Sequence, residues 1–382
     1  MAWIRATKSG GWQVRYYDPT GRERARNFKR KTDATRFARI VETDKLRGEW
    51  HDPRLARVTV AEWADEWLAH ASNLKPKTRD DYRRTLELHV MPYLGAAPVG
   101  NLDRPAMRRF AADLSDAGAG ASTVHAAVKI ARLILGTALD AGAIKGNPAM
   151  GLRLPRVGRT EMLFLTAKQV EALAGAIPPP YDTLIRFAAY TGLRAGEIGG
   201  LRAARLDLGQ GVVEVAESLA DVNGTLIFGP TKTYARRHVP LPPFLRDELE
   251  IYVRGRAIAP EALVFTAKQG GALRHNLFSR RVFKPAVRAA GLPEGLRFHD
   301  LRHTYAAFCI ASTADPYAVM RRMGHSSITV TYNTYGHLFP ERDAEITAKL
   351  EDLRRAGAES ARADADSART PTDESVPVTP VT

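Results

Sequence analysis

Six residues in the second half of the chain carry side chains that could together cut and rejoin a phosphodiester. They are Arg194, Lys232, His299, Arg302, His325 and Tyr335. An arginine can bind two phosphate oxygens at once and stays charged at any working pH, so Arg194 and Arg302 suit a phosphate clamp. A phenol becomes a nucleophile when nearby positive charge stabilises its anion. The set would transfer a phosphoryl group with cationic side chains in place of a metal ion.

Each of these residues lies in a short motif. The motifs read Thr191-Gly192-Leu193-Arg194-Ala195-Gly196-Glu197, Thr231-Lys232-Thr233, His299-Asp300-Leu301-Arg302-His303, Met323-Gly324-His325 and Tyr335-Gly336-His337. In this order they resemble the catalytic motifs of the tyrosine recombinases, also called phage integrases. The resemblance implies a site-specific DNA recombinase of the integrase type, encoded by a phage or another mobile element.

The resemblance places Arg194 and Arg302 on the scissile phosphate. It makes Glu197 a supporting acid that orients the site. The residues alone allow a plainer interpretation, an ion pair between Arg194 and Glu197 three positions apart on a helix, worth at most about 0.5 kcal/mol.

Two tyrosines compete for the role of nucleophile. Tyr335 is followed by Gly-His and lies ten positions after His325, a spacing typical of the family, whereas Tyr332 lies one helical turn earlier. We therefore predict that Tyr335 attacks phosphorus, leaving a 3′-phosphotyrosine and a free 5′-hydroxyl, and that Tyr332 is a packing residue.

Expulsion of the 5′-oxygen requires an acid, and the family uses the lysine at the position of Lys232. The proton of the phenol requires an acceptor. His299 and His325 are expected to share that task or to bond the phosphate.

The motif around His299 also raises the question of zinc, because His299 and His303 are four residues apart. Asp300 replaces the glutamate of the zinc motif, and Arg302 would repel a cation. We expect no metal, and since no Gly-rich phosphate loop is visible, no ATP or other cofactor. His337, two residues after Tyr335, is either a surface residue or an aid to the orientation of the phenol.

The composition indicates the class of partner. The formal charge of +14 and a pI near 9.9 favour binding to a polyanion, here double-stranded DNA. The single cysteine, Cys309, cannot form an internal disulfide and is expected to be a core thiol. A signal peptide and a membrane span are not apparent, so a cytoplasmic protein without a membrane is expected.

Residues 1–55 carry 14 basic and 7 acidic side chains. The pattern predicts strands at Trp12–Tyr16 and Arg22–Phe28 and a helix from Thr32. The layout resembles the arm-type DNA-binding domain of phage integrases, with Arg15, Arg24 and Arg26 as candidate DNA contacts. The plainer alternative is a small folded unit with solvated charges.

Residues 57–152 read as an all-α domain that begins at the capping box of Thr59 and Glu62. They resemble the core-binding domain of the family. The candidate DNA contacts there are Lys77, Arg79 and Arg83, although the residues taken singly favour the plainer interpretation of solvated surface charges.

Residues 161–355 are expected to form the mainly α catalytic domain, with a small antiparallel sheet of 212–216, 225–228 and 237–241 and a turn at Asn223-Gly224. Residues 357–382 read as a disordered tail. The fold class is therefore multidomain: a small sheet with a helix, an all-α domain, and a mixed, mainly α catalytic domain.

The expected assembly is a homotetramer on two synapsed duplexes, with an excision factor or a DNA-bending protein as possible helpers. An amphipathic helix at 345–355 would dock on a neighbouring protomer or on its own domain. Two rival functions stay open at this point: a type IB topoisomerase and a DNA-binding regulator without catalysis.

Overall fold

A computed structural model describes residues 2–18, 21–46, 52–158, 161–231, 236–312, 315–339 and 343–367. The chain divides into two compact units, Met1–Glu161 with Ala220–Ile227, and Met162–Leu219 with Phe228–Thr382. Both predicted N-terminal domains fall in the first unit, and the boundary between them remains a prediction.

The N-terminal sheet has three antiparallel strands in the order β1-β2-β3. They are β1 (Trp3–Ala6), β2 (Trp12–Tyr17) and β3 (Glu23–Phe28), and helix α1 (Lys31–Leu46) follows. The sequence predicted the second and third strands but missed β1, which is only four residues long. The core contains Val14 and Tyr16 of the sheet. From α1 it takes Ala34, Ala38 and Val41, whereas Ile40 is exposed.

The register of this sheet separates the predicted DNA contacts. Arg24 pairs with Tyr16 and Arg26 with Val14, so both lie on the face that packs on α1. The guanidinium of Arg26 lies over the rings of Phe28 and Phe37 at 5.3 and 4.9 Å. These aromatic contacts favour a packing role for Arg26.

Arg24 donates to Asp18 and Asp52, each at 2.9 Å. Both carboxylates are largely buried, with side-chain exposures of 1% and 13%. The salt bridge to Asp52 joins the sheet to the segment that leads into the helical domain. Arg15 lies on the opposite, open face with Trp3, and its partner Glu23 is exposed.

The helical domain contains five α-helices. They are α2 (Val60–His70), α3 (Pro76–Thr85), α4 (Met91–Leu94), α5 (Arg104–Asp116) and α6 (Ala121–Asp140). A π turn, Leu86–Val90, joins α3 to α4. The predicted capping box is present, since the side chains of Thr59 and Glu62 each bond the backbone of the other. Of the described helices, only α6 is long and apolar enough to cross a membrane, and it is the buried centre of this domain.

The second unit begins with helices α7 (Ala167–Ala176), α8 (Tyr181–Thr191) and α9 (Ala195–Gly199). Five short strands follow along the described part of the chain: β4 (Leu206–Asp207), β5 (Val212–Val215), β6 (Glu217–Val222), β7 (Thr225–Pro230) and β8 (Arg237–Pro240). The second half of β6 and the first half of β7 lie in Ala220–Ile227, which belongs to the first unit. The remaining helices are α10 (Pro243–Gly255), α11 (His275–Phe278), α12 (Lys284–Ala289), α13 (Asp300–Ala311), α14 (Pro316–Met323), α15 (Ile328–Tyr335) and α16 (Asp343–Ser367).

The single predicted sheet of residues 212–216, 225–228 and 237–241 is in fact two sheets. Strand β5 pairs with β4 and β8, while β7 pairs with β6. The predicted turn is correct: Asn223 and Gly224 both have positive φ, 49° and 79°, as a tight hairpin turn requires. The sequence pattern identified β5, β7 and β8 but missed β4 and β6, and the pairing of the strands depends on contacts that the pattern does not encode.

The predicted tail is wrong in its first part, because α16 continues to Ser367. Low hydrophobicity suggested disorder for residues 357–382, but residues 356–365 contain five alanines, and alanine is the strongest helix former. Residues 368–382 lie outside the described part of the chain.

Arg24→Ala should destabilise the N-terminal sheet by about 3 kcal/mol, because it leaves two largely buried carboxylates without their cation. Arg15→Ala, which removes an exposed ion pair, should cost less than about 1 kcal/mol. Hydrogen exchange of the amides in β1–β3 measures both effects. Equal loss of protection in the two variants would contradict the structural role of Arg24.

Candidate active site

The loop between α8 and α9 places Arg194. Gly192 ends α8 with φ of 64°, and a Cβ there would lie 2.3 Å from the ring of Tyr305. Only glycine fits this turn, because both the space and the left-handed backbone exclude a side chain. The buried Leu193 fixes the loop in the core, so that Arg194 becomes the N-cap residue of α9.

Glu197 is the acidic centre of the site, with a side chain only 1% exposed. Arg194 donates to it from the backbone N–H and from Nη1, both at 2.9 Å. Arg237 of β8 donates Nη1 and Nη2 to the two carboxylate oxygens at 3.0 and 2.7 Å. The ion pair of Arg194 and Glu197 suggested by their spacing is therefore present, within a network of three charges.

The electrostatics of Glu197 keep it ionised. Burial would raise the pKa of this carboxyl group, but the hydrogen bonds and charge of Arg237, and then those of Arg194, outweigh burial and lower its pKa. Because the folded-state pKa is depressed, the network stabilises the protein at neutral pH. That contribution is lost only as the pH falls through the folded-state pKa.

Arg302 lies in the first turn of α13 and is only 4% exposed. Its Nη1 donates to the Gly192 carbonyl at 2.6 Å, and its Nη2 donates to the carbonyl of Met323. Burial and the charge of Arg194 lower the pKa of Arg302 to about 9, so that it stays protonated at neutral pH.

The turn between α14 and α15 is held by both arginines of the predicted clamp. Arg194 donates Nη2 to the Gly324 carbonyl at 3.0 Å, next to the Met323 carbonyl that Arg302 binds. Gly324 has φ of 63°, and a Cβ there would come within 3.0 Å of Arg237. Glycine is therefore needed in the Gly-His motif, because the backbone at Gly324 passes close to the arginine side chains.

His325 follows this turn, and its Nδ1 lies 2.9 Å from Thr331 Oγ1. Its ring is parallel to that of Tyr335, with 6.1 Å between centroids. Burial and then the charges of Arg302 and Arg194 lower the pKa of His325 to about 4. The imidazole is therefore neutral at neutral pH.

Tyr335 is the last residue of α15 and is only 1% exposed. Its hydroxyl lies 2.7 Å from Nδ1 of His303. Burial raises the pKa of Tyr335 to about 12, although Arg302 and Arg194 act in the opposite direction. Tyr332 is 51% exposed and packs beside Phe339, away from this cluster.

The two histidines of the α13 motif lie side by side, with ring centroids 5.0 Å apart. His299 is partly exposed to solvent. Even so, partial burial of its ring, and then the charges of His303 and Arg302, lower its pKa to about 4. Burial lowers the pKa of His303 as well. Both imidazoles are neutral at neutral pH.

The site as described carries excess positive charge. Three guanidiniums (Arg194, Arg237 and Arg302) face one carboxylate (Glu197), which leaves two positive charges beside a neutral phenol. Among the residues that the structure describes, no group of three His, Cys, Asp or Glu side chains could hold a metal ion. This arrangement can bind an anion and stabilise additional negative charge.

The structure thus brings together Arg194, Glu197, Arg302, His325 and Tyr335, with His299 at the edge beside His303. Lys232 lies outside the described residues, so its role stays a prediction. His337 is exposed and lies near Phe164.

Sequence reasoning missed two members of the site, Arg237 and His303. For Arg237 the available signal was the basic pair Arg236-Arg237, which lies shortly before the sequence Val-Pro-Leu at residues 239–241. For His303 the signal was its place directly after Arg302.

The predicted DNA contacts of the helical domain lie near α3. Lys77 pairs with Asp80 and Asp81 at 3.4 and 2.8 Å, and these carboxylates raise its pKa despite partial burial. Arg79 donates to the Leu68 carbonyl at 3.2 Å, and Arg83 is exposed. Whether these side chains bind DNA remains a prediction.

The buried Tyr335 lies among the charges of Arg302 and Arg194, an arrangement that suits phosphoryl transfer, and the relatives of the chain are integrases and tyrosine recombinases. The phage integrase family matches residues 163–342, and the phage integrase central domain matches residues 60–154. The prophage phiRv2 integrase of Mycobacterium tuberculosis is 29% identical over 364 residues, covering 92% of this chain and 95% of that protein.

Two sets of solved structures share the fold. The Tn1549 transposon integrase in complex with transposon right end DNA has a TM-score of 0.66 and 22% identity, covering 78% of this chain and all of that one. The lambda integrase tetramer bound to a Holliday junction has a TM-score of 0.56 and 20% identity. The match covers 89% of this chain and 95% of that one. The chain belongs to the phage integrase family and is a site-specific tyrosine recombinase, as its motifs predicted.

Arg237→Lys should slow DNA cleavage about tenfold or more and cost about 1–3 kcal/mol of stability, because a lysine cannot bind both oxygens of the buried Glu197. The matched control is Arg236→Lys. The Arg236 side chain is 70% exposed, and its ion pair with Glu214 is long, at 3.5 Å, so its replacement should have little effect. Cleavage of a nicked half-site and denaturant unfolding measure the two effects. Equal behaviour of the two variants would argue against the network.

Proposed function

We propose that Tyr335 attacks the scissile phosphate of a DNA strand while Arg194 and Arg302 bind its non-bridging oxygens. The observation that carries this proposal is the buried phenol at the end of α15, a helix whose preceding turn is bound by both guanidiniums. The product is a 3′-phosphotyrosine with a free 5′-hydroxyl, and the reverse reaction rejoins the strand. Since the ester conserves the bond energy, no ATP is required, and the guanidiniums stabilise the negative charge for which a metal ion would otherwise serve.

The two arginines have donors to spare for a phosphate. Each guanidinium has five N–H groups, and the described hydrogen bonds of Arg302 use two of them, on the carbonyls of Gly192 and Met323. These bonds fix the plane of the group before DNA arrives. A clamp held in this way loses little conformational entropy when it binds the phosphate.

The neutral histidines act as hydrogen-bond donors in this scheme. If Nδ1 of His325 accepts from the Thr331 hydroxyl, its Nε2 carries a proton that can bond a phosphate oxygen. His299, at the open edge, is suited to the same task. Lys232 protonates the departing 5′-oxygen.

The remaining parts of the chain deliver this site to DNA. The open face of the N-terminal sheet, with Arg15, and the basic side of α3 near Arg83 are the proposed DNA-binding surfaces. The working assembly is a tetramer on two synapsed duplexes in the cytoplasm. An excision factor or a DNA-bending protein would set the direction of the reaction.

Tyr335→Phe should abolish an SDS-resistant protein–DNA adduct on a nicked half-site while it preserves DNA binding, because only the nucleophilic oxygen is lost. Tyr332→Phe is the matched control and should form the adduct at the normal rate. Denaturing electrophoresis and a mobility-shift assay provide the readouts. An adduct that survives Tyr335→Phe and disappears in Tyr332→Phe would identify the other tyrosine as the nucleophile.

The same assay tests the rival interpretations. Cleavage in excess EDTA is expected, and its arrest by chelation would refute the metal-free mechanism. Relaxation of plasmids without a specific site would indicate topoisomerase behaviour. Binding without any adduct would indicate a regulator.

Helix α16 supports the proposed tetramer. Leu350 and Leu353 are 61% and 69% exposed, so this helix does not bury them against its own domain. An exposed apolar pair on a helix at the end of the catalytic domain is suited to docking on a neighbouring protomer.

Leu350→Asp combined with Leu353→Asp should weaken synapsis about tenfold or more, because it places charges in the proposed apolar contact. Binding to a single site should be unchanged, and Arg354→Ala, at another exposed position of α16, should be neutral. Mobility shifts on one and two sites distinguish these steps. Normal synapsis in the double variant would refute docking through this face.

A further inference from the structure

The hydroxyl of the nucleophile has a direct partner that the motif-based mechanism leaves unused. His303 Nδ1 lies 2.7 Å from Tyr335 Oη, and the two ring centroids are 5.7 Å apart. His325 is parallel to the phenol at 6.1 Å, with its Nδ1 directed to Thr331. Geometry therefore favours His303 over His325 as the group that handles the phenolic proton.

We propose that His303 accepts the proton of Tyr335 as the phenol attacks phosphorus and returns it when the strand is rejoined. The inference rests on the proposed function and adds a catalytic residue to it. In the forward step the O–H bond of Tyr335 breaks and its proton moves to Nδ1. The bond from Oη to phosphorus forms as the bond from phosphorus to the 5′-oxygen breaks, and Lys232 supplies the proton to that oxygen.

The surroundings of His303 keep it ready to accept a proton. Its own helix contributes His299, Asp300 and Arg302, and the preceding turn contributes Arg297. Burial, with Arg297 and Arg302, lowers the pKa of His303 although Asp300 raises it.

The other elements that face this ring bring Tyr335 of α15 and His325 of the α14–α15 turn. The ring is therefore neutral at neutral pH. Asp300, 0% exposed and close in sequence, would stabilise the imidazolium that forms during attack.

His303→Ala and His303→Asn test the proposal, because asparagine can keep a hydrogen bond near the position of Nδ1 but cannot take up a proton at this pH. Both variants should slow adduct formation by about 10²- to 10⁴-fold, the usual contribution of a general base, with DNA binding unchanged. His337→Ala is the control, since this exposed histidine lies near Phe164 instead of the phenol.

The pH dependence separates proton transfer from mere positioning. Without His303 the phenol must ionise unaided, and because its pKa is about 12, the rate should rise about tenfold per pH unit between about pH 7 and about pH 9. The unsubstituted protein should lack this steep rise. A normal rate in His303→Asn, or slow variants without the steep rise, would overturn the assignment. If the alanine variant fails to fold, the asparagine variant alone gives this result.

A substrate with sulfur in place of the 5′-bridging oxygen distinguishes two roles for His303, removal of the phenolic proton and protonation of the leaving group. The distinction is possible because a thiolate leaves without an acid. Lys232→Ala should recover on this substrate and His303→Ala should not. Recovery of His303→Ala would place the histidine on the leaving group and refute the proposal. Failure of the broader function would appear differently, as the absence of an adduct from the unsubstituted protein on either substrate.

Discussion

The buried guanidinium of Arg302 is the constraint on which the rest of the site depends. A cation that is only 4% exposed must be hydrogen-bonded, and it bonds the carbonyls of Gly192 and Met323. These carbonyls belong to the ends of α8 and α14, where glycine turns bring backbone close to the arginine cluster. The hydrogen bonds that stabilise the buried charge of Arg302 therefore also fix two loops. One is the α8–α9 loop, which carries Arg194, and the other is the α14–α15 turn, which carries His325.

The charge balance of the cluster suits a transition state better than a ground state. In the proposed reaction the phosphodiester brings one negative charge, and attack by the Tyr335 phenolate adds a second as the proton leaves. The two excess positive charges of the site, three guanidiniums against Glu197, match that dianion. Binding strength that grows along the reaction coordinate accelerates the chemical step. Arg237 belongs to this balance because it shares the negative charge of the Glu197 carboxylate with Arg194.

The sequence was sufficient for residues whose chemistry is carried by a local motif. Arg194, Glu197, Arg302, His325 and Tyr335 do converge, and the Asn223-Gly224 turn follows from the backbone that these two residues adopt. The unpredicted features depend on contacts distant in sequence. Arg237 reaches Glu197 across 40 positions and His303 reaches Tyr335 across 32. Likewise, alternation located β5, β7 and β8 but not which strands pair, and low hydrophobicity at 357–367 concealed an alanine-rich helix.

In the proposed mechanism, helix α13 links phosphate binding to activation of the nucleophile. His299 immediately precedes its first turn, which contains Arg302 and His303 and where the helix dipole adds to the attraction for an anion. Because Arg302 and His303 are adjacent on one rigid element, the guanidinium that orients the phosphate and the imidazole that touches the phenol hold a fixed separation. Tyr335 lies on another helix, α15, whose preceding turn is bound by Arg194 and Arg302. Any movement of α15 therefore alters the nucleophile and the clamp together, so that attack requires both to be in place.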